Sequence, residues 1–292
     1  MARSDPTWGV DMTLCIAAVS RKAPKAHIVT VSDLMLSSES VSLETRMMKV
    51  EPVSPKRAWV MMFAGSPTPI SSLHLRIKDA LQGKDETEAE VRTAVETVYR
   101  DELRRKIEGE ILSPFGLDRA TFLREGRNQL GDQEFSRILF EVQNCNLDVD
   151  LILAGFEPNG WPRIFSIANP GVYASHERAG FHGIGSGTMR AMGSLYTTYD
   201  AALDRYDLLY RLCEAKFVGE SALGVGKRTY GLILSSDLTF ETMIPEAVDR
   251  IVRPEWERVG TPPIPDGMSD KIKGGIQKTG WATPKQRGSQ NA

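Results

Sequence analysis

Thr13 is the residue in this sequence with the most specific chemistry to offer, on condition that its own α-amine is free. A threonine hydroxyl attacks a carbonyl only when a base takes its proton. No histidine among His27, His74, His176 and His182 stands in a Ser-His-Asp arrangement, so that base has to be something other than imidazole. A terminal threonine carries its own base: an α-amine with an unperturbed pKa of about 7.7–8.0. Two routes lead to such a terminus. Residue 12 is methionine, so a start there followed by removal of Met12 exposes Thr13; alternatively, MARSDPTWGVDM over 1–12 is a propeptide lost by self-cleavage. Composition alone equally allows Thr13 to do no more than open a strand. A second stretch, Gly183-Ile184-Gly185-Ser186-Gly187, precedes a helical pattern whose amide donors could hold an anion, although glycines in such a turn serve the backbone more often than a ligand.

The residues must be positioned by elements, and these follow from periodicity. TLCIAAVS over 13–20 and AHIVTVSD over 26–33 are apolar, β-branched runs separated by RKAPK, which predicts a hairpin with a long loop. Weak alternation over 46–53 and the apolar run RAWVMMFA over 57–64 predict two more opening strands, the last stopped by Gly65. Ser66-Pro67 reads as a cap with a first-turn proline, followed by Ile70, Leu73, Ile77 and Leu81 at helical spacing. Thr87 and Glu90 form a capping box ahead of a stripe of Val91, Val95, Val98 or Tyr99, and Leu103. From 109 to about 137 breakers dominate, and a mobile or helical insertion is expected. DLILAGF over 150–156 and RIFSIA over 163–168 flank Pro158-Asn159-Gly160 as a second hairpin. Two helices follow, one starting in the 183–187 glycine stretch, the other with Leu203, Tyr206, Tyr210, Cys213 and Phe217 on its stripe; strands over 229–234 and 238–244 close the fold. Strands, two helices, strands, two helices, strands, without βαβ alternation, predict α+β architecture with antiparallel sheets packed together and helices outside.

The composition narrows the function. The chain has 292 residues, 41% hydrophobic and 25% charged, which excludes disorder, collagen and coiled coil as the whole. Lys plus Arg number 36 against 38 Asp plus Glu, so a net charge of -2 provides no basic field for nucleic acid. No apolar run reaches the roughly 18 residues of a membrane span, and 1–12 lacks a signal-peptide core, so a cytoplasmic protein is expected. Cys15, Cys145 and Cys213 have no CxxC or ligand spacing and read as reduced thiols; no metal or cofactor is implied. GxxxxGK[ST], HExxH and GxSxG are absent. The 33 residues from Gly260 hold six Gly and four Pro, with five Lys or Arg against two Asp, predicting a disordered, mildly basic tail over 260–292.

Thr13 before an apolar strand, Asp33 ending the next, Lys49 in RMMKV and a strand ending FAGS together resemble the proteasome β-subunit family of N-terminal nucleophile hydrolases. The stretch LILAGFEPNGWPRIFSIANPGVYASHERAGFHGIGSGTMRAMGSLYTTYD resembles the same family's second half, and bacterial members begin their mature chains Met-Thr. The resemblance spans about Thr13 to Pro245. It implies a four-layer αββα sandwich over 13–259 and assembly into rings or open helical arrays. It also implies roles. Thr13 matches the nucleophile, and Asp33 the buried acid that holds the site's lysine. Lys49 matches the cation that lowers the proton affinity of the amine, since a like charge nearby disfavours a second one. Ser186 matches the serine that relays the amine's proton, and Gly65 the glycine whose N–H is an oxyanion donor, a contact of about 2.7–4 kcal/mol in the transition state.

The chain departs from the family pattern in three places. Leu223-Gly224-Val225-Gly226 stands where the family has an acid and a hydroxyl near the amine, the loop over 20–26 is longer, and Met12 is not the glycine that precedes a self-processed threonine. The implied activity is threonine-type cleavage of peptide or small-amide bonds inside a homo-oligomer, with an ATP-dependent unfoldase as a possible partner. The competing implications are an inactive proteasome-like subunit that retains 1–12, in which the Thr13 nitrogen is an amide and no base, and a small-amide hydrolase of the same fold.

Overall fold

In the strand Trp59–Gly65, side chains alternate between two cores. Trp59, Met61 and Phe63 face one apolar cluster, and Val60, Met62 and Ala64 face another, the period of two expected of a strand covered on both sides. The computed structural model describes residues 13–38, 41–44, 48–54, 56 and 59–259. Among the described residues twelve strands run in chain order: β1 (Cys15–Ser20), β2 (His27–Asp33), β3 (Met35–Ser38), β4 (Val41–Glu44), β5 (Val50–Pro52), β6 (Trp59–Gly65), β7 (Val149–Phe156), β8 (Pro162–Ala168), β9 (Val172–Ser175), β10 (Phe181–Ile184), β11 (Thr229–Ser235) and β12 (Phe240–Met243). One sheet has the order β10-β1-β2-β11-β12 and a second β5-β6-β7-β8-β9, with every pairing antiparallel. β3 and β4 form a separate hairpin.

Helices α1 (Ile70–Ala80), α2 (Glu88–Lys106) and α3 (Arg119–Asn144) cover the second sheet. Helices α4 (Thr188–Thr198) and α5 (Arg205–Gly219) cover the first, with α5 against β1, β2 and β11. Between the sheets lies the cluster of Cys15, Ala17, Val60, Met62, Ile152 and Ala154. The architecture is therefore a four-layer αββα sandwich of antiparallel sheets. Because both faces of β1 and β2 are covered, every residue of CIAAVS and HIVTVSD is buried. The described residues fall into two units, one ending at Pro254 and one beginning at Glu255; in the second they are helical, with an Arg258–Glu255 ion pair of 2.6 Å.

Several expectations meet corrections. The α1 stripe of Ile70, Leu73, Ile77 and Leu81 is buried, but Ser66-Pro67 does not cap it. The Ser66 N–H is taken by the Asp148 carbonyl at 2.7 Å, and the helix starts only after Pro69, which makes no side-chain cap. The Thr87–Glu90 capping box is formed in both directions. Residues 107–144 are almost wholly helical: a wide turn over Ile107–Leu112, a tight one over Ser113–Phe115, then α3, kinked at Gly131, with Leu112, Phe122 and Ile138 in the core. The glycine stretch leads into α4 only at its end: β10 runs through Ile184 first, and Gly187 is the N-cap before Thr188. The buried side of α5 is Leu208, Leu209, Leu212, Cys213, Ala215, Lys216 and Phe217, whereas Tyr206 is exposed and its hydroxyl donates to Glu241 at 2.8 Å. The expected extension over 1–12 and tail over 260–292 lie outside the described residues.

Candidate active site

The site grows from the ends of β1, β2 and β10. Pairing of Cys15 with both Ser32 and Ile184 sets Thr13 between the end of β2 and the turn after β10. The Leu14 carbonyl accepts from the Asp33 N–H at 3.1 Å, and the Thr13 carbonyl accepts from the Gly187 N–H at 3.4 Å. Gly185 makes this approach possible. Its φ is +97° and a Cβ there would stand 2.2 Å from the Thr13 carbonyl oxygen, so only glycine fits. The structural reading of the 183–187 glycines holds at that position.

Asp33 and Lys49, brought together across sixteen residues of sequence, form an ion pair of 2.7 Å in which both side chains are almost fully buried. The second oxygen of Asp33 accepts from the Gly226 N–H at 2.9 Å. Burial pushes the Asp33 carboxyl upward, and the Lys49 ammonium, the Gly226 amide and the nearby Lys216 pull it back. The 223–226 stretch, which lacks the acid and hydroxyl of the family pattern, thus reaches the site through a backbone N–H. Ser186 lies at Thr13: its hydroxyl faces the Thr13 carbonyl at 3.4 Å and the Leu223 carbonyl at 3.3 Å.

Gly65 stands differently. It ends β6 opposite Val149 with φ +107°, and a Cβ would meet the Asp148 carbonyl oxygen at 2.0 Å, so the turn itself demands glycine. Among the described residues no hydrogen bond joins it to Thr13. The link between β1 and β6 is made two residues inward from each, where the Cys15 thiol donates to the Phe63 carbonyl at 3.2 Å. Burial pushes that thiol up to about 12, so Cys15 is an inert packing group and no nucleophile.

Lys216 escapes a reading of the sequence. It lies on the buried side of α5, fully enclosed, and its ammonium reaches Glu220 at 2.5 Å, the Gly226 carbonyl at 2.6 Å and the Lys227 carbonyl at 2.9 Å. Glu220 is in turn held by Arg253 at 2.7 and 3.0 Å. A chain of polar contacts, buried from Lys49 to Lys216 and partly buried beyond, therefore runs from Lys49 through Asp33, the Gly226 backbone, Lys216 and Glu220 to Arg253. The available signal was the i,i+4 spacing of Lys216 and Glu220 within an otherwise apolar stripe. No group of three His, Cys, Asp or Glu among the described residues could hold a metal ion, and no described helix is long and apolar enough to cross a membrane.

No family model matches the chain, and no curated protein matches it in sequence. Solved structures do match in fold. One is the Anbu (Gly-1) mutant from Hyphomicrobium sp. strain MC1, at TM-score 0.61 and 13% identity, over 90% of this chain and 97% of that one. Another is Anbu (ancestral beta-subunit) from Yersinia bercovieri, at TM-score 0.60 and 12% identity, over 87% of this chain and 100% of that one. At such identities the likeness is one of fold, and this chain shares the four-layer sandwich of those two proteins.

Proposed function

We propose that this protein is a threonine-type N-terminal nucleophile hydrolase that cleaves peptide or small-amide bonds. The observation that carries the reading is the buried Asp33–Lys49 pair of 2.7 Å, fastened to the strand that presents Thr13 by the Asp33 N–H to Leu14 carbonyl bond. In this reading the chain is shortened to begin at Thr13, and the freed amine takes the hydroxyl proton as Oγ1 attacks the carbonyl carbon. The tetrahedral intermediate collapses to an acyl ester on Thr13, and the amine leaving group departs with the transferred proton. Water then cleaves the ester, with the same α-amine as base. Lys49 lowers the proton affinity of the amine by its charge. Ser186 orders the backbone around the terminus, and Gly65 is assigned the oxyanion N–H. The subunits assemble with copies of themselves, as the family resemblance implies.

The test joins three measurements. Intact mass and N-terminal sequencing of untagged protein from its own host should give a chain that begins at Thr13, and native mass spectrometry a homo-oligomer. Turnover of a fluorogenic peptide and a small-amide panel by that chain should be lost in Thr13→Ala. A native chain that retains Met1 or Ala2 removes the base and overturns the reading.

A further inference from the structure

Beside Thr13 lies a cavity of ≈ 290 Å³ lined by Asp150, Ser166, His182, Gly183, Gly185 and Thr188, together with their apolar neighbours. Gly185 belongs to both places, since its backbone also packs on the Thr13 carbonyl. The volume lies at the lower end of small-molecule sites and suits one side chain or a small amine.

Its lining has a single charge at neutral pH. Asp150 is the second residue of β7, opposite Ala64, and is half-buried, yet its carboxylate has no hydrogen bond or ion pair to any described residue. Removal of a carboxylate from water without a partner is costly, and burial pushes this one upward. The other polar groups around it are uncharged. Burial and the adjoining His176 ring hold His182 down to about 4, Ser166 shares a hydrogen bond of 2.8 Å with His176, and the buried Thr188 hydroxyl has no partner among the described residues. Three donors of an ammonium, or the fork of a guanidinium, would satisfy the acceptors left over. The absence of any three-ligand group among the described residues favours an organic cation over a metal ion.

We propose that this cavity is a subsite for a cationic group, an ammonium or guanidinium on the molecule acted on at Thr13, with Asp150 as its counter-ion. The assignment of that molecule as substrate rests on the function proposed above; the cavity's preference for a cation does not. The full-length protein should therefore bind n-butylamine and n-butylguanidine in ligand-observed NMR, and bind n-butanol and butyrate far more weakly. Asp150→Asn should weaken amine binding by about tenfold or more, while Asp150→Glu, which keeps the charge, retains it. Thermal melting shows that both variants are folded. Equal binding of butanol, or amine binding unchanged in Asp150→Asn, overturns the proposal. In peptide turnover by the chain that begins at Thr13, the preference for a lysyl over a leucyl residue at the scissile bond should fall by about tenfold in Asp150→Asn. Turnover with no preference for the lysyl peptide overturns the subsite and leaves the Thr13 reading intact. Amine binding lost in Asp150→Asn, with no amide cleaved by wild type, upholds the cavity assignment and overturns the hydrolase reading.

Discussion

Single residues set the electrostatics of the site. Removal of one partner of the Asp33–Lys49 pair leaves the other charged and enclosed, so Lys49→Met is expected to cost about 3–5 kcal/mol of unfolding free energy, read from urea denaturation. The double variant Asp33→Leu with Lys49→Met should recover part of that loss, since no orphan charge remains, yet stay inactive in the amide panel. Gly185→Ala forces a Cβ into the Thr13 carbonyl at a left-handed φ, and should cost about 1–3 kcal/mol and displace the proposed nucleophile. Of these residues, Asp33 and Lys49 could be found in the sequence only through family order and spacing, because a lone Asp at a strand end or a lone Lys in a strand has no signature of its own. Lys216 shows in the sequence only as the i,i+4 partner of Glu220 within an apolar stripe. Its burial depends on carbonyls supplied by 226 and 227, which come to α5 only when the chain folds back.

At the scale of elements, regular periodicity carried the reading as far as burial is one-sided. The stripes of α1 and α2 are buried where their 3.6-residue spacing placed them, and the capping box at α2 is closed. Thr87→Ala opens that box and should lower stability by about 1 kcal/mol, with the loss confined to the α2 start in amide hydrogen exchange. The strands that escaped are short. β9 has Val172 and two more of its four residues exposed, and β10 has only four residues before the glycine turn, so neither shows a clear alternation. The helices over 107–144 were obscured for another reason: Gly109, Pro114, Gly116 and Gly131 interrupt the pattern, and the structure absorbs them as a wide turn, a tight turn and a kink. The end of β10 was hidden because a glycine-rich turn after a strand and one before a helix look alike in sequence.

The whole molecule is two sheets pressed together, and one polar contact stitches their edges. The imidazoles of His176, just past β9, and His182, on β10, stack with centroids 3.5 Å apart and planes 5° from parallel. His176 also donates its backbone N–H to Ile164 of β8 at 3.0 Å, so the stack joins the second sheet to the first. Burial holds both rings below the ordinary histidine value, His182 at about 4. A depressed folded value means that the unfolded chain binds more protons between 6.5 and 4, so the stability supplied by His182 is complete above 6.5 and drains away as pH falls through that window. The loss for His182 should approach about 3 kcal/mol by pH 4. Melting temperature followed from pH 7 to 5, above most carboxylate titration, should fall for wild type, and fall less steeply for His182→Gln.

The tight seat that Gly185 provides for Thr13 has a bearing on how the protein would mature. Chain ends ordinarily fray, and an enzyme whose reactive group is its first residue must suppress that motion every time it works. Here the restraint sits on the carbonyl side of Thr13, in the bonds to Gly187 and Ser186 and in the missing Cβ of Gly185. Trimming at Thr13 would thus release a new terminus already anchored, and the entropy of holding it still is spent once, when the sandwich folds.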